Sequence, residues 1–151
     1  MLLIAFAVAL GAVVMNWGKG FVEATAKDVS DKSNMDLSCQ QDIALSVKEI
    51  GGSPIICYTA TSLEVMLENS GTKDITGMQF AIFDSTDAMN LSINDSLAIA
   101  AGSVSGKLNI SHNLLGSITQ VEFTPKIKPK GFASSQLCSK NKLVIDDISE
   151  C

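Results

Sequence analysis

Charge is scarce in this sequence: 18 % of its 151 residues are charged, against about a quarter in an ordinary soluble domain. What charge there is leans acidic, 16 carboxylates to 11 basic side chains for a net charge of -5, which excludes nucleic-acid binding by bulk attraction to phosphates. Aromatic residues make up only 5 % of a chain that is 46 % hydrophobic, so it is apolar without being rich in aromatic anchors. Histidine occurs once, at His112, and no C-x-x-C pair occurs. A zinc site, which draws on short ligand spacings, is therefore not expected.

Catalysis needs a nucleophile with its base, convergent carboxylates or a metal cluster. His112, in the run Asn109-Ile110-Ser111-His112-Asn113, reads as part of a polar surface loop or a strand end rather than as a base. Asp84 with Asp87, and Asp146 with Asp147, match no calcium-binding array and read as solvated turns. Gly18-Lys19-Gly20 lacks the third glycine and the preceding strand of a nucleotide-binding loop. No catalytic, cofactor or metal residue is expected, and the chain is not read as an enzyme.

Four cysteines are present, Cys39, Cys57, Cys138 and Cys151, and an even number with such spacings points to two structural disulfides in an oxidising, extracytoplasmic setting. Cys39 with Cys57 and Cys138 with Cys151 is the expected pairing, because each bridge then closes a short loop. Three acceptor triplets for N-linked glycan also occur, Asn90-Leu91-Ser92, Asn94-Asp95-Ser96 and Asn109-Ile110-Ser111. Asn90 and Asn94 fall in a polar stretch, 89–96, that reads as a projecting loop, and alternation in 104–110 turns Asn109 outward. Glycans there would supply a hydrophilic coat that a lightly charged surface lacks.

Nothing charged precedes Lys19. As a helix, residues 1–18 would be about 27 Å long, marginally enough to cross a bilayer. Phe21, Val22, Thr25 and Val29 continue at roughly helical spacing among Lys19, Glu23, Lys27 and Asp28, so one helix is expected to about Lys27, with Gly18 and Gly20 as weak points for a bend. The polar residues 30–34 read as its exit. From Leu37 the period changes to alternation, with turn residues at short intervals. Strands are expected around 43–47, 56–60, 63–67, 78–82, 97–100, 104–110, 118–127 and 142–145. The plan is thus a helix over 1–29, a linker over 30–36 and a β-domain over 37–151. The fold class is α+β, with an antiparallel immunoglobulin-like sandwich after the helix.

The N-terminal segment admits three readings. A cleaved signal peptide finds a small-residue site at Ala24-Thr25-Ala26, but no positive residues precede the apolar run, and residues 17–23 separate it from that site. A membrane anchor is adequate in length. A self-packing helix is suggested by two lines of small residues, Ala5, Ala9 and Ala12 on one and Ala7 with Gly11 on the other, since such spacings let helix backbones approach closely. Spacing alone leaves the last two readings level.

The segment LLIAFAVALGAVVMNWG, followed by a short amphipathic continuation and a β-rich domain, resembles the N-terminus of archaeal type IV pilins and their filament relatives. The run LEVMLENSGTKDITG, residues 63–77, is similar to the strand, Asn-x-Gly turn and strand of their outer domains. VEFTPKIK, residues 121–128, followed by Cys138 and Cys151, resembles the C-terminal part of cysteine-bearing members. The glutamate that bacterial pilins carry near their mature N-terminus has no counterpart here. This resemblance implies an extracellular, cell-surface filament whose helices, packed through Ala5, Ala7, Ala9, Gly11 and Ala12, form the core. The β-domains would face outward and serve adhesion. The implied partners are further copies of the chain and, before assembly, the membrane. An archaellin of a motility filament, or an anchored β-sandwich binding domain that does not polymerise, are the competing expectations.

Overall fold

Between Gly20 and Gly51 the chain has neither glycine nor proline, so nothing there forces a helix to stop. In the computed structural model of the protein, which describes residues 2–86, 89–146 and 148–151, with helix side chains from residue 7 onward, one helix, α1 (Leu2–Asp42), runs through that whole region. The expected end near Lys27 and the linker over 30–36 are therefore corrected, and Gly18 and Gly20 lie inside the continuous helix. Polar residues such as Ser30 and Asn34 carry only small helix penalties, and they do not outweigh continuity on both sides. The helix stops just before the buried Ile43. By its internal contacts the chain divides into two units, residues 1–35 and 36–151, so the last turns of α1 belong to the β-domain. Among the described residues no helix is long and apolar enough to cross a membrane.

The strands that follow are β1 (Leu45–Val47), β2 (Glu49–Ile50), β3 (Ser53–Pro54), β4 (Ile56–Tyr58), β5 (Ser62–Val65), β6 (Leu67–Asn69), β7 (Gly77–Asp84), β8 (Met89–Asn94), β9 (Ser103–Val104), β10 (Leu108–Ser111), β11 (Ile118–Ile127), β12 (Gln136–Leu137) and β13 (Leu143–Asp146). A short 3-10 turn, Ser139–Asn141, separates the last two. All pairings between these strands are antiparallel. Among the described residues the sheets run β1-β6-β9, β10-β5-β4 and β12-β11-β7-β8, with β13 also on β11, and β2-β3 forms a separate hairpin. The fold is thus α+β, one N-terminal helix followed by antiparallel sheets. The hairpin turns on Gly51 and Gly52, whose positive φ values of 64° and 83° suit the two-residue turn that matches strand twist.

Strict alternation decides the core. Leu63, Val65, Leu67 and Asn69 are all fully buried, although β5 pairs with β4 and β10 while β6 pairs with β1 and β9. The strand crosses from one sheet to the next at Met66, whose N–H donates to the Ile55 carbonyl at 3.0 Å, without changing which side chains point inward. In the largest sheet Phe80 faces Phe123 across the β7–β11 ladder, edge to face at 5.7 Å. Pro125 sits within β11, where a missing N–H would ordinarily break a ladder. Its carbonyl accepts from Cys138 N at 2.8 Å, so the N position also faces that side, in the gap between β12 and β13, and the β7 ladder stays intact.

Three expectations about strands are corrected. Residues 104–110 are not one strand: Val104 ends β9 and 108–110 belong to β10, in a different sheet. Residues 97–100 form no named strand; Ile99 makes only an isolated bridge to Ile75. Residues 89–96 are not a projecting loop, because 89–94 are the strand β8, paired along its length with β7. Met89, Leu91 and Ile93 alternate with Asn90, Ser92 and Asn94, a two-residue period that the polar composition masks.

Candidate functional site: an exposed helix surface and its anchorage

The first part of α1 carries large apolar side chains that are exposed: Val8, Leu10, Val13, Val14, Met15 and Trp17 are each at least half exposed. Of the small residues expected to line helix contacts, Ala7, Ala9, Gly11 and Ala12 are exposed, while the side chain of Ala5 lies outside the described residues. Trp17 stacks on Phe21 one turn later at 5.8 Å. Beyond it Phe21, Val22, Ala26 and Val29 line an open groove of about 520 Å³ on the helix. Its wall is almost wholly carbon, with Thr25 Oγ1 donating inward to the Phe21 carbonyl at 2.8 Å.

At its other end the helix is held by the β-domain. Helix C-termini leave carbonyls unpaired, and here two side elements take them. The turn Asn69-Ser70-Gly71 after β6 brings the N–H groups of Thr72 and Lys73 to the Asp42 carbonyl at 2.8 and 3.1 Å. Asn141 Nδ2 donates to the carbonyls of Cys39 and Ile43 at 2.8 and 2.9 Å. The last turn of α1 has no basic residue of its own; Lys73 supplies the cation favoured there, reaching Ser38 Oγ and the Asp42 carboxylate at 3.1 Å each. That hydrogen bond from Lys73 is the main reason the Asp42 carboxyl is held below its ordinary value. The sign follows: the interaction contributes at neutral pH and fades as pH falls through the lowered value. The turn itself is fixed by Asn69, fully buried, whose Nδ2 donates to Lys73 O at 2.8 Å and whose Oδ1 accepts from Gly71 N at 3.1 Å. The sequence marks Asn69 and Gly71 as a turn, but neither Lys73 nor Asn141 carries a local signal of its role.

All four cysteines are in disulfides, but the expected pairing is wrong: Cys39 bonds Cys138 and Cys57 bonds Cys151. Short loops did not decide it, since the partners are 99 and 94 residues apart. Cys39 lies on the last turns of α1, where Asn141 also docks, and Cys138 follows β12 in that same region. Cys151 lies along β4, through Cys151 N to Tyr58 O and Tyr58 N to Ser149 O, both at 3.0 Å. Cys39 and Cys138 are 2 % and 1 % exposed, whereas Cys57 is half-buried and Cys151 exposed. Limited reduction by a dithiol followed by alkylation is therefore expected to label Cys57 and Cys151 well before the other two. Labelling of all four at one rate, read by peptide mass spectrometry, would contradict this.

His112 follows β10, as the strand-end expectation had it, but it is not at the surface. It is 8 % exposed, and among the described residues neither ring nitrogen has a hydrogen-bond partner. Its backbone N–H pairs with Thr61 O at 2.9 Å, and it continues the alternation of β10, in which Ile110 is buried and Asn109 and Ser111 are exposed. A buried polar group without a partner costs about 1–3 kcal/mol. The variant His112→Leu should accordingly unfold at higher denaturant than the parent, by roughly 1 kcal/mol or more in free energy; a loss of stability would show that the imidazole has a partner in solution.

Of the aspartates singled out in the sequence, Asp84 is engaged within the fold. Asp84 is buried and accepts from Thr86 N and Oγ1 at 2.8 and 2.7 Å, which corrects its reading as a solvated turn; Asp146 ends β13. Asp87 and Asp147 lie outside the described residues. Among the described residues the group closest to a metal-ligand set is Cys57, Glu64 and Cys151, and both its sulfurs are tied up in the disulfide. Of the glycan acceptors, Asn90 is half-buried with its Nδ2 donating to Asn113 Oδ1 at 2.9 Å. Asn94 is exposed at the end of β8, its Oδ1 accepting from Ser96 N at 3.0 Å, and Asn109 is exposed on β10.

No model of a known protein family matches the chain, and no curated protein matches it either.

Proposed function

We propose that this chain is the subunit of an extracellular, archaeal type IV pilus-like filament, with helices bundled in the core and β-domains outside, serving attachment to surfaces. The observation that carries the reading is the run of large, exposed apolar side chains on α1, Val13 and Trp17 being 66 % and 72 % exposed. In water such a surface is strongly unfavourable. A helix of this kind is at rest only in lipid or against other helices, and its small residues Ala9, Gly11 and Ala12 suit the second. The subunit would be stored in the membrane and then exchange lipid for its own copies through a head-to-tail contact that propagates. The β-domain would be an immunoglobulin-like sandwich, with the β10-β5-β4 and β12-β11-β7-β8 sheets as its faces.

Negative-stain electron microscopy of the native protein tests the proposal. Long, uniform filaments are expected, and a protein that stays monomeric or bound to membrane would refute it. Surface glycan belongs to the same reading. Asn94 and Asn109, which are exposed, should carry it in preference to Asn90, whose amide nitrogen is engaged. An intact mass equal to the bare polypeptide with two disulfides would remove the glycan.

A further inference from the structure

The strand β8 is built inside out. Its register sets Met89 beside Phe83, Leu91 beside Ala81 and Ile93 beside Gln79, while Asn90, Ser92 and Asn94 lie beside Ile82, Phe80 and Met78. The latter three are buried in the core, so the polar residues of β8 share the core face of the sheet and its apolar residues the outer face. Met89, Leu91 and Ile93 are 54 %, 53 % and 54 % exposed. This strand is also the end of its sheet, and among the described residues nothing pairs with its outer edge. Proteins blunt such edges with lysine, proline or a bulge, and β8 has no charge, no proline and an unbroken register. At β4, by contrast, the edge is covered by the tail at 149–151.

We propose that the outer face and free edge of β8 are the contact through which one copy of the β-domain binds the next, an inference that rests on the filament reading above. The area selects the occupant. Half-exposed Met, Leu and Ile side chains offer on the order of 300 Å², far below the ~800 Å² per partner of an independent, stable complex. A free protein would not be retained by so little. A second copy already held through its helix is present at high effective concentration, and a small, repeated contact is then enough.

Hydrogen–deuterium exchange on native filaments and on subunits dissociated from them tests this. Amides of 89–94 are expected to exchange at least about tenfold more slowly in the filament, while those of the hairpin at Ile50, equally apolar and 66 % exposed, do not change. The double variant Leu91→Lys/Ile93→Lys is expected to give filaments that shed subunits about tenfold faster or more, a change of about 1.4 kcal/mol, and Ile50→Lys to behave as the parent. Equal exchange at 89–94 in both states, or parent-like filaments from the double variant, overturns the contact and leaves the filament reading in place. Absence of filaments from the parent protein removes both.

Discussion

Replacing Ala9 or Val13 by aspartate is expected to abolish filaments. Both positions lie in the uncharged part of α1, and both are exposed in the single chain. In the proposed assembly each would be enclosed by neighbouring helices, where an unpaired carboxylate costs several kcal/mol. That penalty recurs in every subunit, so it multiplies along the polymer. In the single chain the same substitution meets water and leaves the β-domain untouched, so circular dichroism and disulfide content should match the parent. Electron microscopy then separates the outcomes: normal filaments from either variant would mean that this face is not enclosed.

The double variant Cys39→Ala/Cys138→Ala is expected to lose roughly 3–4 kcal/mol of stability in the chain-entropy picture, because with Cys57–Cys151 intact this bridge closes a loop of about 30 residues, through 39–57 and 138–151, rather than the 99 that separate its cysteines. Such a loss is a large share of the stability of an ordinary domain. Its effect should be local as well as global, since the bridge joins α1 to the segment after β12, beside the Asn141 caps. The companion variant Gly71→Ala attacks the same joint from the other side. A Cβ there would lie 2.2 Å from the Asp42 carbonyl oxygen and 2.8 Å from Ala44 N, all backbone, so the turn or the helix end must move. Denaturant unfolding gives the size of each loss, and peptide-resolved exchange shows whether residues 36–43 open first. A Cys39→Ala/Cys138→Ala protein as stable as the parent would show that the noncovalent caps alone hold the joint.

Short-range pattern carried much of the fold. The expected limits of β11, 118–127, match the strand, although a register shift between Ile118 and Gln120 breaks its alternation at the start; β1, β5 with β6, and β7 fall where apolar residues recur every second position. Misreadings arose where composition and period disagreed. Residues 30–34 are polar yet helical, because no glycine or proline stops the helix. Residues 89–94 look like a loop by their asparagines and serine, but their apolar residues alternate and the strand is simply reversed in face. Four cysteines announced two bridges, but not which.

The sequence by itself determined a helix ahead of a β-rich domain and the presence of two disulfides, because periodicity and residue counts act over a few neighbours. The tertiary structure decided where α1 ends, which cysteines meet, that His112 is buried, and that β8 faces outward. Each of these depends on groups that the chain brings together from far apart, Asp42 with Lys73, Cys39 with Cys138, Asn90 with Asn113, and such meetings are set by sheet register and packing rather than by distance along the chain.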